Sequence, residues 1–181
     1  MELDAIIDLS RYPINAPGSE ALAELVKVTR TSYLRDGIVI CPGFLTEEAV
    51  TRSVEEVMLS RGKEWLTNST HNVFLDQGDP AFPVDHVRNR QLPTSVASLA
   101  FDLLHKDGPL LSLYNNDHFT SFLAKVLGLE NFYRLEDPLG AASINIFPPG
   151  TAHNWHFDEV KLVLNHIYIP CICELFSQYF P

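Results

Sequence analysis

Apolar residues recur at helical spacing in four parts of this chain, and N-capping or stop residues flank several of them. In one part, Leu22, Leu25 and Val26 fall on one face after Ser19, and in another Thr46 stands as an N-cap before two glutamates. Gly128 is a stop signal after the most strongly periodic run. The pattern predicts helices over about residues 19–35, 46–60, 94–104 and 116–127.

The remaining segments are read as strands or loops. Residues 38–41 predict a short buried strand, and residues 61–93, which are rich in Pro, Asn, Asp and His, predict a long ordered loop. From Ser143 onward a strand, a Pro-Pro-Gly turn and an apolar, partly alternating run to Ile169 follow. Because helices then come first and strands last, we expect an α+β chain, and unpaired strand edges near residues 143–147 and 160–169 would favour self-association.

Composition narrows the class of protein. With 181 residues and 46% hydrophobic content the chain can bury a core and fits one domain. A net charge of −10 disfavours binding to nucleic acid or to an anionic membrane surface. No apolar run is long enough to span a bilayer, and the acidic start lacks a cationic leader, so we expect a cytoplasmic protein. Three cysteines suggest no disulfide framework.

The candidate chemistry lies at His156-Phe157-Asp158, after the predicted strand and turn. In an extended segment, residues two apart project to one face, so an imidazole nitrogen and a carboxylate oxygen can meet one cation. Such a pair is two thirds of the 2-His-1-carboxylate set that binds Fe(II). The alternative is a surface His and Asp beside a turn. His105-Lys106-Asp107 has the same spacing, but we assign it to capping the end of the helix predicted over 94–104.

Four short stretches, residues 71–75, 85–90, 136–141 and 153–158, lie within a span from about residue 71 to 159 that covers about half of the chain. This span resembles the Fe(II)/2-oxoglutarate-dependent oxygenases that hydroxylate or chlorinate free amino acids. The resemblance implies a double-stranded β-helix (jelly-roll, cupin-like) fold and a small-molecule substrate. It implies that His156 and Asp158 bind Fe(II), with 2-oxoglutarate and O2 as co-substrates, and that His153 touches the amino acid. An aspartate at position 158, where halogenating members have glycine, favours hydroxylation.

Further assignments follow more loosely from the same resemblance. Arg88 or Arg90 can pair with a substrate carboxylate through a bidentate fork, although an arginine in a polar loop is commonly just solvated. Asn145, in the strand that leads to the motif, is the candidate for contact with the co-substrate.

The family pattern stops after Glu159. A distal histidine and a basic anchor for 2-oxoglutarate are expected on later strands, but residues 160–181 offer only His166 and Lys161. If residues 158–166 were one strand, His166 would lie about 26 Å from Asp158, too far to share an ion. We therefore expect residues 1–159 to be an incomplete oxygenase-like domain and residues 160–181 a divergent tail. The alternative is a truncated, non-catalytic isoform or partner-binding module.

Overall fold

The computed structural model describes residues 1–147 and 149–157, and this part of the chain forms two compact units. Its secondary structure is mixed, with four α-helices and one three-stranded antiparallel sheet, so the α+β prediction is confirmed. The predicted order, with helices first and strands last, is wrong. Two strands precede the last two helices.

The first unit, Met1–Arg61 with Ala100–Ala142, contains the helices. Three helices begin directly after a polar N-cap residue, whose side-chain oxygen accepts a hydrogen bond from a main-chain N–H of the first turn. Ser19 accepts from Leu22, Thr46 from Ala49, and Asn116 from Phe119. The helices are α1 (Glu20–Asp36), α2 (Glu47–Leu59), α3 (Pro109–Tyr114) and α4 (Asp117–Leu127), with short 3-10 helices at Leu3–Ala5 and Phe101–Leu103. The sequence did not predict α3.

The core of this unit is apolar and includes residues from the N-terminal segment as well as from the helices. Ile6 and Ile7 are 1% and 0% exposed, and an isolated β-bridge joins Ile7 to Leu45. α1 packs against α4, where Phe122 and Val126 are buried as the periodicity of the sequence predicts. The buried cluster comprises Ile6, Ile7, Tyr12, Ile14, Leu22, Ala49, Leu113, Phe122 and Val126.

The second unit contains Gly62–Leu99 and the described residues from Ser143 onward. Its strands are β1 (Trp65–His71), β2 (Leu92–Leu99) and β3 (Ile144–Ile146), with β2 in the centre. β1 pairs with β2 in a register that sets His71 opposite Leu92, and β3 pairs with β2 so that Asn145 lies opposite Ser98. The predicted strand after Ser143 is thus confirmed.

Two sequence predictions fail in this sheet. Residues 94–99 belong to strand β2 rather than to a helix, because pairing on both sides outweighs a helical apolar spacing that Thr94 and Val96, both β-branched, already disfavour. The predicted loop over 61–93 contains β1, whose polar Thr67-Asn68-Ser69 run shows no alternation of apolar and polar residues. Residues 72–91 do form the predicted loop.

Two further predictions fail in the first unit. Residues 38–41 are not a strand, and Ile38 and Ile40 are exposed. His105-Lys106-Asp107 does not cap the C-terminal end of a helix, since it precedes Gly108 at the start of α3. The buried carboxylate of Glu56 instead accepts the His105 main-chain N–H.

Within residues 1–147 and 149–157, no helix is both long and apolar enough to cross a membrane. In the same part of the chain Cys41 is a free thiol, and Cys171 and Cys173 lie outside the described residues. Burial raises the pKa of the Cys41 thiol.

Candidate metal centre

Three histidines of the second unit lie together. His71 is the last residue of β1, and His153 and His156 follow the turn at Pro149-Gly150. One ring nitrogen from each of the three lies within 4.8 Å of the others. His71 and His156 are partly buried, whereas His153 is exposed. Imidazole nitrogens are common ligands of zinc, copper, nickel and iron, so the cluster is a candidate metal centre.

A local irregularity of the chain places His153 beside β2. The register of β2 with β3, if continued, would put Pro149 opposite Thr94, but the residue that bridges to Thr94 is His153. The extra residues accommodate the turn at Pro149-Gly150, and the φ of +79° at Gly150 suits glycine. This turn therefore carries His153 to the part of β2 that lies next to the end of β1.

Main-chain hydrogen bonds hold the segment that carries the motif. The Ser95 N–H donates to the Ala152 carbonyl oxygen at 2.8 Å, and the Phe157 N–H donates to the Val73 carbonyl oxygen at 2.8 Å. The Asn154 side-chain amide donates to the carbonyl oxygen of Pro93. Residues 152–157 are thus attached both to β2 and to the chain just after β1, which brings His156 next to His71.

The tautomers of two rings follow from their hydrogen bonds. Nδ1 of His71 lies 2.9 Å from the Asn72 carbonyl oxygen, and Nδ1 of His156 lies 2.7 Å from the Asn154 carbonyl oxygen. A carbonyl oxygen only accepts, so each Nδ1 carries the proton and the lone pair of the neutral ring is on Nε2. Histidines that ligate a metal typically donate their other N–H in this way.

Two buried polar atoms on this side of the sheet are unsatisfied. Among the described residues, Nε2 of His71 and Oγ1 of Thr94 are buried without a hydrogen-bond partner. Because paired residues of antiparallel strands project to one face, His71 and Thr94 share a face: His71 lies opposite Leu92, two residues before Thr94. Burying such groups unpaired costs about 1–3 kcal/mol each, so a metal ion with its ligands is a chemically suitable partner for them.

The angles between the three imidazole planes distinguish His71 from the other two histidines. The plane of His71 lies at 82° to that of His156 and at 88° to that of His153, with centroids 5.6 and 5.7 Å away. His153 and His156 are closer, at 4.2 Å, and their planes differ by 30°. The ring of His71 is therefore nearly perpendicular to the other two rings, whereas the rings of His153 and His156 lie side by side at a small angle.

The loop after His71 is organised by Asn72, which is fully buried. Its Oδ1 accepts the N–H groups of Phe74 and Asp76 at 3.0 and 3.2 Å, and its Nδ2 donates to Asp76 Oδ1 at 2.6 Å. These bonds fix the carbonyl oxygen that faces His71. The Asn72 side-chain donor, followed by the Gly78 N–H, holds the pKa of Asp76 below its ordinary value.

Arg88, a predicted substrate-binding residue, lies in the same unit as the histidines. Its guanidinium lies 4.5 Å from the ring of Phe74, which packs against Phe157 with centroids 5.4 Å apart. Its charge is already partly balanced, since Nε lies 3.2 Å from Asp79 Oδ2 and Nη2 lies 3.9 Å from Asp76 Oδ2. A role for Arg88 in binding a substrate carboxylate stays a prediction.

The structure does not bring Arg90 or Asn145 into the histidine cluster. Arg90 is exposed, and its main-chain N–H donates to the His86 carbonyl oxygen. Asn145 projects from the same sheet face as His153, but its partner Ser98 lies four residues beyond Thr94, about 13 Å along the strand. Its Oδ1 accepts from the Ser98 hydroxyl at 2.8 Å. Asp158, the second predicted metal ligand, lies outside the described residues.

His71 is the member of the cluster that the motif search missed. It stands in the first of the four resembling stretches, but nothing in its local spacing relates it to His156. Only the pairing of β1 with β2 brings the two together. Comparison of the chain with protein-family models, with curated proteins and with solved structures gave no match.

Proposed function

We propose that this protein is an Fe(II)- and 2-oxoglutarate-dependent dioxygenase that hydroxylates a small substrate, a free amino acid. The observation that supports the proposal best is the position of His156. The residue that the His-x-Asp motif nominates as an iron ligand lies in a cluster of three imidazoles, and its Nδ1 faces a carbonyl oxygen. Histidines that bind a metal through Nε2 typically donate their Nδ1–H to a carbonyl oxygen in this way.

The residues that would hold the iron are His156 and the predicted ligand Asp158. Bound iron, together with 2-oxoglutarate and O2, supplies the oxidising power that hydroxylation of an unactivated carbon requires. The chain itself fixes the ring of His156 through Asn154, which in turn is bound to the Pro93 carbonyl oxygen. Such support keeps a ligand oriented and raises its basicity.

Binding of the substrate is assigned to residues beside the metal ligands. His153 is exposed and lies next to His156, so its ring can hydrogen-bond an amino-acid group presented from solvent. Arg88, or Arg90 from the same loop, supplies a cation for the substrate carboxylate. Because two aspartates already pair with Arg88, carboxylate binding there would have to compete with them. Asn145 is the proposed contact to 2-oxoglutarate, and the co-substrate would have to bridge the roughly 13 Å along β2 between Ser98 and Thr94.

The proposed architecture is a double-stranded β-helix, to which β1, β2 and β3 would belong as part of one antiparallel sheet. Antiparallel strands are what a jelly roll requires.

Turnover of the co-substrate tests the proposal. Purified protein is incubated with Fe(II), ascorbate, O2 and 2-oxoglutarate in the presence of single amino acids, and succinate and the hydroxylated product are measured. We expect at least one amino acid to give equal amounts of both, and His156→Ala to abolish them. His118→Ala, which removes an exposed histidine of α4, is the matched control and should behave as wild type. Folded, iron-loaded protein that releases no succinate with any amino acid would contradict the proposal.

A second candidate function, a non-catalytic module that binds partners through its sheet, is favoured by one observation. Among the described strands, β1 pairs only with β2, and near its start Trp65 and Leu66 are 77% and 59% exposed. An exposed apolar edge strand is a template for another chain. This function predicts concentration-dependent assembly without release of succinate.

A further inference from the structure

We propose that His71 is the third protein ligand of the metal at His156, so that the site is completed from β1, upstream of the motif, rather than from a downstream strand. The inference rests on the proposed metal centre, but it does not depend on turnover of 2-oxoglutarate. It assigns a metal-binding role to a residue that the motif does not contain.

The donor atom supports this assignment. The proton of His71 is on Nδ1, which faces the carbonyl oxygen of Asn72, so Nε2 carries a lone pair. This Nε2 is buried and has no hydrogen-bond partner within residues 1–147 and 149–157. A buried imidazole acceptor without a partner is costly. A cation bound to the Nε2 lone pair of His71 would remove this cost.

Geometry separates His71 from His153 as the ligand. Two imidazoles whose nitrogens lie about 2.1 Å from one ion have centroids about 4.5–5.6 Å apart at ligand angles of roughly 90–120°. The 5.6 Å between His71 and His156 is at the upper end of this range, and their planes are nearly perpendicular. The 4.2 Å between His153 and His156 lies below it.

The distances between donor atoms require only a modest adjustment. The three ring nitrogens lie within 4.8 Å of one another, whereas nitrogens bound to a common ion lie about 3–3.5 Å apart. Side-chain rotations that move the ring nitrogens of His156 and His71 by about an ångström would bring them to the distance expected for two ligands of one ion. His71 lies at the end of a strand and is fixed by Asn72, so the smaller movement is expected on its side.

The assignment gives the proposed metal site a second imidazole. The predicted ligand Asp158, which lies outside the described residues, would add a carboxylate, and two imidazoles with one carboxylate are a donor set that suits Fe(II). In this assignment the metal requires no histidine beyond Asp158. Thr94, whose buried hydroxyl lies on the same face as His71, can donate a hydrogen bond to a further metal-bound oxygen ligand.

Cobalt(II) is a suitable probe because it takes the same nitrogen and oxygen ligands and gives visible spectra. We expect the full chain to bind Co(II), and we expect His71→Ala to raise the dissociation constant by more than about 100-fold. Loss of a residue that only supports a ligand lowers metal affinity by about 10–100-fold. His118→Ala should bind as wild type does. Circular dichroism of each variant establishes that it is folded.

A gain of signal distinguishes ligation from a structural role. In His71→Cys, a thiolate at the ligand position should give an intense sulfur-to-cobalt charge-transfer band in the near ultraviolet. His118→Cys should give none, and the three native cysteines are common to all variants. Cobalt bound to folded His71→Cys without this band, or wild-type affinity in His71→Ala, would overturn the proposal. A cobalt ligand at position 71 without succinate release in wild type would sustain it while refuting the dioxygenase function.

Discussion

The rings of His71 and His156 lie nearly perpendicular to each other with centroids 5.6 Å apart, although one ends β1 and the other follows the turn after β3. Three features bring them together: the pairing of β1 with β2, the isolated bridge that sets His153 opposite Thr94, and the hydrogen bond from the Phe157 N–H to the Val73 carbonyl oxygen. The site therefore depends on the sheet more than on the motif.

Asn72 is expected to support both the loop and the metal ligand. In Asn72→Ala the N–H groups of Phe74 and Asp76 lose their buried acceptor, so we expect the free energy of unfolding to fall by about 2–3 kcal/mol in urea denaturation. Co(II) affinity should fall about 10–100-fold, because the carbonyl that orients His71 is no longer fixed. Asn68→Ala, at an exposed position of β1, is the control and should change stability by less than about 0.5 kcal/mol. Equal stability of the two variants would contradict this role.

The order of the loop should depend on pH through Asp76. Its pKa is lowered, first by the Asn72 amide, so the carboxylate stabilises the fold above the ordinary aspartate pKa of about 3.9. That contribution is lost as the pH falls through the lower pKa of the folded chain. We expect the carboxyl carbon of Asp76 and the amide of Gly78 to titrate together below the ordinary value in NMR spectra. Asp76→Asn should remove the titration of the Gly78 amide. An Asp76 that titrates at or above the ordinary pKa would refute the assignment.

Gly37 and Gly128, in the first unit, both end a helix in the left-handed conformation, so equivalent substitutions at the two positions can be compared. Gly37 and Gly128 have φ values of +71° and +73°, so alanine at either position should cost about 1–2 kcal/mol. A Cβ on Gly37 meets open space, but on Gly128 it would meet the guanidinium of Arg30, which donates to the Val126 carbonyl oxygen at 2.8 Å. We expect Gly128→Ala to be the more destabilising by about 1 kcal/mol, since that hydrogen bond is displaced. Thermal and urea unfolding of the two variants measure the difference, and equal losses would show that Arg30 contributes nothing.

Self-association, if it uses the edge of β1, should respond to a charge there. Leu66→Lys places a cation on the exposed edge strand and should shift the protein towards monomer in sedimentation velocity experiments over a range of concentrations. Leu59→Lys makes the same change at an 84% exposed position of α2 and serves as the control. Assembly that is unchanged in Leu66→Lys, or equally reduced in both variants, would exclude β1 as the edge that pairs.

The sequence predicted the elements whose signals are local. α1, α2 and α4 have an N-cap, a periodic apolar face and, in two cases, a glycine stop, and all three were located to within about two residues. β1 and β2 were missed because their stability comes from pairing with each other, which local spacing does not encode. For the same reason the motif pointed to His156, whereas His71 becomes visible only once the register of the sheet is known.

The most direct measurement is an anaerobic Fe(II) titration of the 181-residue chain in three forms, namely wild type, His156→Ala and His105→Ala. The two variants each destroy one His-x-Asp sequence, but only His156 belongs to the histidine cluster. His105 is exposed, and its contact with Glu56 uses the main chain, which alanine retains. We predict one tightly bound iron per chain in wild type and His105→Ala, and affinity at least about 100-fold weaker in His156→Ala. Equal iron binding by His156→Ala and wild type would contradict a metal centre at His156.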